Sequence, residues 1–235
     1  MMDSAPGSAY GRRMRILAVD GALARASVAV WADGQVLARA AVDGARGQPT
    51  VLPGLAQQVL REAGVAATGL DAVAAVVGPG GFTGLRAALA LAQGLALALG
   101  CPAIGVTSGE ALAAGLPAAR RATRPVWTAI DSRRGRVLLE CFAPGADAAL
   151  GPPVSLALED LPDCDAPPLL AGDAAELVQA ALAARGVAAE LSGHTLPDAA
   201  DVAAVAALRL AGRLPPLAAL PLYVEPPAVR MPGQG

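Results

Sequence analysis

Lysine is missing from this chain: all eighteen basic residues are arginine. That absence excludes a phosphate-gripping P-loop lysine, a Schiff-base lysine and acid–base chemistry run through an ammonium group. Histidine is nearly missing as well, with His194 alone in a loop near Gly193 and Pro197. Without a second histidine there is no zincin-like or paired-histidine metal site, and a lone loop histidine is expected to be solvated or hydrogen-bonded. The cysteines, Cys101, Cys141 and Cys164, are three and widely spaced. They fit reduced thiols rather than a disulfide framework or a zinc site, with Cys101 and Cys141 placed in a core by their apolar surroundings. Aromatic residues are 3% and charged residues 16% of a chain that is 54% hydrophobic, so the core must be mostly Ala, Leu and Val. A formal net charge of −2 offers no global attraction for nucleic acid or an anionic membrane.

A long apolar run is also wanting. Residues 87–106 carry no charge, but Gln93, Gly94, Gly100 and Pro102 interrupt them. From residue 87 to a helix end near Leu99 the span is about 20 Å, short of the roughly 30 Å of hydrocarbon in a bilayer. The reading is a buried helix in a cytoplasmic protein without a membrane segment. Residues 1–13 are polar, lack the apolar core of a leader, and read as a disordered extension of a domain that starts at Met14.

What is present has a clear order. Residues 16–20 form an apolar strand closed by Asp20, followed by strands at 27–31 and 36–41 with Asp33-Gly34 as the hairpin turn. Residues 50–63 have helical spacing and 72–77 are a buried strand. Four glycines and a proline then fall within Gly78-Pro79-Gly80-Gly81-Phe82-Thr83-Gly84, ahead of a long helix over 82–99. Glycines at a strand-to-helix turn permit positive φ and close approach of a ligand or another backbone. This loop lacks the Lys-Ser/Thr ending of a P-loop, so a phosphate cradle and a tight turn both remain open. A strand at 102–106 leads into Thr107-Ser108-Gly109-Glu110, a capping-box pattern that opens a helix toward Leu116.

The pattern then restarts. Residues 126–131 are again an apolar strand ending in aspartate, Asp131, and 136–142 is the returning strand. Short strands at 154–157 and 169–171, helices at 174–185 and 198–211, and an extended piece at 222–224 complete the chain. Asp198 reads as a helix cap and Gly212 as a stop. The order predicts an α/β protein of two duplicated halves with mixed sheets. The first lobe is 14–105, with 200–225 packing back on it; the second, smaller lobe is 106–199, and 226–235 is a tail.

Two halves that each open with a strand, an aspartate and a hairpin resemble the actin, sugar-kinase and heat-shock-ATPase superfamily. Within it, Ile16-Leu17-Ala18-Val19-Asp20, the run Gly78 to Arg86, Gln93-Gly94-Leu95-Ala96-Leu97, Gly105-Val106-Thr107-Ser108, Ala129-Ile130-Asp131-Ser132-Arg133-Arg134-Gly135 and Pro221-Leu222-Tyr223-Val224 resemble the TsaB (YeaZ) family. The likeness implies an actin-like (ribonuclease H-like) fold. It also implies a non-catalytic subunit of the bacterial system that builds N6-threonylcarbamoyladenosine beside the tRNA anticodon. The implied partners are a catalytic, metal-binding TsaD-like paralogue, a TsaE-like P-loop ATPase and, through the complex, tRNA; alone, such a subunit can pair with itself. ATP and metal would belong to the partner subunits, with no cofactor bound by this chain alone. The alternative is a self-contained ATPase or phosphotransferase of the superfamily.

Three departures bear on this. Gly21-Ala22 stands where the family has a hydroxyl residue after the first aspartate, Gly47-Gln48-Pro49 where it often has a histidine, and Glu225 where it has a basic residue. Asp20 and Asp131 read as a vestigial nucleotide site, or as strand-ending carboxylates bonded to their own turns, the reading that the missing hydroxyl and lysine favour. Arg86, in a first helical turn, is expected to pair with a carboxylate or to face a partner. Ala90, Gly94 and Ala98 make a ridge of small residues that lets another helix approach, with Ala87, Leu91 and Leu95 beside it. With Leu52, Leu55 and Val59 they form the expected partner interface. Six arginines between Arg120 and Arg136 read as a solvated run or as phosphate contacts to tRNA.

Overall fold

The computed structural model describes residues 14–44 and 48–224. The expected extension 1–13, Gly47, Glu225 and the 226–235 tail lie outside the described residues. The first sheet begins with a meander, β1 (Arg15–Asp20), β2 (Arg25–Ala32) and β3 (Gln35–Asp43). The β2–β3 turn uses Asp33 and Gly34, both at positive φ, 47° and 87°, as a tight hairpin requires. Helix α1 (Gln48–Glu62) then leads to β4 (Ala72–Gly78), helix α2 (Phe82–Leu99) and β5 (Ala103–Thr107). The strand order is β3-β2-β1-β4-β5, with β4 parallel to β1 and β5 parallel to β4. All seven residues of β4 are buried, as an unbroken apolar sequence demands of a central parallel strand.

Helices α3 (Ser108–Ala114) and α4 (Ala118–Arg121) link to the second half. It contains β6 (Val126–Asp131), β7 (Val137–Phe142), β8 (Val154–Leu156), β9 (Leu169–Ala171), α5 (Ala175–Ala184), β10 (Glu190–Leu191) and α6 (Ala199–Leu210). Its sheet order, β10-β9-β6-β7-β8, repeats the first when β6 is set on β1. Asp20 pairs with Ser27 and Asp131 with Val137, so each half places an aspartate at the tip of its first hairpin. A single 3-10 turn, Leu158–Asp160, stands where α1 stands in the first half. The second sheet therefore lacks the covering helix that α1 supplies to the first.

The two lobes exchange helices. Leu112 and Ala113 of α3 pack with Val126, Ile130, Leu138 and Phe142 of the second sheet. Ala199, Val202, Ala203 and Ala206 of α6 pack with Ile16, Ala18 and β4 of the first. A buried polar network locks the crossing. The Thr107 hydroxyl accepts from the Glu110 amide at 2.9 Å, while Glu110 accepts from the Thr107 amide at 2.8 Å, completing the capping box. Arg209 of α6 donates to both Glu110 oxygens at 2.6 Å, its side chain only 5% exposed. Thr107 donates in turn to Glu140 of β7 at 2.8 Å, and burial pushes that carboxyl up to about 8.

The last described residues form a strap along the edge of the first sheet. Ala218 bridges Ile104, Gly105 donates to Leu217 at 2.8 Å, and Leu222 donates to Val77 at 2.8 Å. The expected extended piece at 222–224 carries the Leu222 bond to Val77 and pairs in no strand among the described residues. Sheet-edge bridging falls to Ala218, beyond the prolines that keep the segment irregular.

Candidate functional site

The glycine loop sits at the carboxyl end of β4, against the β1–β2 turn. Gly78 has φ +113°, and Gly80 lies so close to Ala22 that a Cβ there would land on the Ala22 carbonyl oxygen. The Gly81 amide donates to that oxygen at 2.6 Å, and the Ser108 hydroxyl donates to the Pro79 carbonyl at 2.6 Å. On the other side, a Cβ on Gly21 would come 2.8 Å from the Gly84 carbonyl. The loop's small residues therefore serve approach of backbone to backbone, and an amide that would face a phosphate is spent on Ala22.

Asp20 lies under this closure with no exposed surface. One oxygen accepts from the Ala22 amide at 2.9 Å, and Oδ2 has no partner among the described residues. Burial is the main cause that pushes its pKa up to about 7, with the Asp198 charge adding and the Ala22 hydrogen bond and Arg25 opposing. Asp131 is bound to its own hairpin: it accepts from the Arg133 amide at 2.7 Å and pairs with the Arg133 guanidinium at 3.0 Å. Its amide donates to Asp173 at 2.9 Å. The residues at the two tips do not fit a magnesium triphosphate, because one carboxylate is sealed and the other neutralised by a neighbouring arginine.

Around the corner, α2 presents a different surface. Leu85, Ala88, Leu89, Ala92 and Ala96 are buried, whereas Ala90, Gly94 and Ala98 are exposed and Leu97 is 86% exposed. Ala87, Leu91 and Leu95 are half-buried against the α1 side of the lobe. The outer face thus carries no charge from Ala87 to Gly100, unlike the polar solvent face of an ordinary surface helix. Leu52, Leu55 and Val59 correct the expected interface. They pack on Leu17, Val28 and Val30 of their own sheet and lie in the core. Their helical spacing reported burial, and the nearest partner was intramolecular. Although α2 is long and apolar enough to cross a membrane, its inner face is laid on β4.

Arg86 finds no carboxylate among the described residues. Its guanidinium lies 3.6 Å over the Phe82 ring and donates to the Tyr223 hydroxyl at 2.8 Å, joining strap to helix. Phe82 and Tyr223 are each 61% exposed, in a chain with only two residues of each type. The six arginines do not form one patch. Arg120, Arg121 and Arg124 precede β6 and pair with Glu190 or Asp147, while Arg133, Arg134 and Arg136 follow it. The two groups are separated by roughly 17 Å of strand at ~3.3 Å per residue. The His194 side chain is half-buried, and its Nε2 is buried and makes no hydrogen bond among the described residues.

Residues 45–146 match the family described as TsaD, tRNA N6-adenosine threonylcarbamoyltransferase. The chain is 42% identical over 124 residues to the tRNA threonylcarbamoyladenosine biosynthesis protein TsaB of Escherichia coli (strain K12), which is 53% of each chain. A tRNA N6-adenosine threonylcarbamoyltransferase of Maricaulis maris (strain MCS10) is 48% identical over 62 residues, 26% of this chain and 16% of that protein. The match therefore spans about half the length of the TsaB relative and less of the transferase. Among solved structures, a Pseudomonas aeruginosa protein described as uncharacterized with similarity to peptidase YEAZ superposes with TM-score 0.76 at 28% identity, over 90% of this chain and 100% of that one. YeaZ from Pseudomonas aeruginosa gives 0.74 at 29%, over 89% and 99%.

Proposed function

We propose that this chain is a TsaB (YeaZ) protein, a reading supported by 42% identity over 53% of its length to a TsaB protein and by its superposition on the YeaZ structures, and that it is a non-catalytic subunit of the complex that transfers a threonylcarbamoyl group to the adenosine beside the tRNA anticodon. In this reading it works in the cytoplasm by pairing with, and activating, a TsaD-like paralogue. The observation that carries the proposal is the uncharged outer face of α2. Ala90, Gly94 and Ala98 give a partner helix close access, and Leu97 supplies apolar area that water would otherwise cover. The stretch that matches the transferase family, 45–146, contains both α1 and α2. A paralogue carrying the same helix pair meets this face with its own equivalent, as in an isologous contact between two copies. The same geometry lets the chain pair with itself when the paralogue is absent.

ATP and metal chemistry are assigned to the TsaD-like and TsaE-like partners, and tRNA is reached through the complex. The sealed Asp20 and the Ala22 carbonyl against the glycine loop support a chain that binds no nucleotide by itself. The test is to recover the tagged chain from its native lysate and identify what accompanies it. The purified proteins are then assayed for threonylcarbamoyl transfer to tRNA with and without the chain. A paralogue in the eluate and transfer that needs the chain support the reading. Magnesium-ATP turnover by the chain alone, with no paralogue recovered, overturns it in favour of a self-contained ATPase.

A further inference from the structure

Where the lobes cross, on the β3 side of the first sheet, a cavity of about 520 Å³ is lined by Arg25, Arg39, Gly115, His194, Asp198 and Asp201 among others. That volume is in the range of small-molecule sites. Its polar groups converge from separate elements. Arg25 comes from β2 and Arg39 from β3, Asp198 and Asp201 from the start of α6, and His194 from the loop before it.

Part of this set is satisfied internally. Arg25 donates to Asp43 at 2.8 Å and faces Asp198 at 4.0 Å, while Asp198 caps α6 by accepting from Ala200 at 2.9 Å. The rest is not. Arg39 and the Asp201 carboxyl act on each other through charge, with no hydrogen bond or close ion pair joining them among the described residues, and His194 Nε2 is buried without a hydrogen bond. Gly115 has an ordinary φ of −70°, so its lack of a side chain is a matter of space. A Cβ there would strike the imidazole and come 2.6 Å from Asp201 Oδ2. Burial raises Asp201 to about 7 and lowers the His194 pKa, so water solvates neither charge well.

We propose that this cavity binds a small free α-amino acid, its carboxylate on Arg39, its ammonium on Asp201 and Asp198, and a side-chain donor or acceptor on His194. Charges of both signs select a zwitterion. A free phosphate would face two carboxylates, and a bare metal ion two guanidiniums, with no cluster of metal ligands among the described residues. The inference is independent of the pairing proposed above and is tested on the free chain.

The single histidine makes the imidazole resonance of His194 a unique reporter of the cavity. L-threonine, a small zwitterion with a side-chain hydroxyl, is titrated into the full chain, with inorganic phosphate and ethanolamine as probes that carry charge of one sign only. A saturable shift with L-threonine, weakened about tenfold or more by Arg39→Ala, is expected. Arg39 is exposed, and an unchanged unfolding temperature confirms that its variant folds. No saturable shift up to about 10 mM L-threonine overturns the proposal. So does an equal shift with phosphate or ethanolamine, or an affinity indifferent to Arg39.

Discussion

Gly94→Leu separates the stability of the chain from its capacity to pair. A Cβ on Gly94 meets nothing within 4 Å, and the residue lies in the interior of an exposed helical face. Replacing glycine by leucine there should stabilise the free chain by about 0.8 kcal/mol through helix propensity. In a domain of this size that raises Tm by roughly 2–3 °C. Against a partner helix the sign reverses. The ridge Ala90-Gly94-Ala98 permits an interaxial distance near the ~8 Å lower limit of helix packing, and a leucine forces the axes apart. Overpacking of about 1–3 kcal/mol weakens the pair by roughly 5- to 150-fold. Calorimetric unfolding of the free variant and titration against the TsaD-like paralogue read the two effects separately. A raised Tm with unchanged affinity would refute the assignment of this face. A lowered Tm would show that the face is not open in the free chain.

Three further outcomes are expected. Asp20 is held near 7 against an ordinary 3.8, so the folded chain retains a proton that the unfolded chain releases. Its stabilising contribution is full below about pH 4 and lost as pH rises through about 7. Asp20→Asn should therefore match the parent near pH 4 and exceed it at pH 8 by up to about 4 kcal/mol; an equal difference at both pH values in thermal melts would contradict the burial argument. Gly80→Ala drives a methyl into the Ala22 carbonyl and should lower stability by about 1–3 kcal/mol, read from the urea midpoint. Arg209→Ala strands the Glu110 carboxylate in the crossing and should lose about 3–5 kcal/mol. Adding Glu110→Gln should recover part of that loss in the same denaturation assay.

The duplication was legible because each half repeats one local signal, an apolar strand ending in Asp20 or Asp131 before a hairpin. The capping box at Thr107 and Glu110 and the cap at Asp198 were legible for the same reason, since their chemistry lies within three residues. The short β10 and α4 escaped because two or four residues are too few to show a period. On the candidate interface, the small-residue spacing on α2 located an exposed stripe. The equally periodic Leu52, Leu55 and Val59 marked only a core-facing stripe, because hydrophobic spacing does not tell one's own sheet from a partner. The closure of the glycine loop by Ala22 joins residues some sixty positions apart, and no local pattern encodes it. The cavity beside His194 is assembled from four distant segments and left no trace in the sequence.

The exchange of α3 and α6 ties the molecule's birth to its completion. As the chain leaves the ribosome, the first sheet is finished by Thr107, yet the apolar helix that covers one of its faces begins only at Ala199. Until then Ile16, Ala18 and the β4 valines lack their α6 neighbours, the circumstance in which nascent chains stick to one another. Neither half of the duplicated gene product is a self-sufficient folding unit, so a stop placed before α6 should yield an aggregating fragment rather than a working lobe.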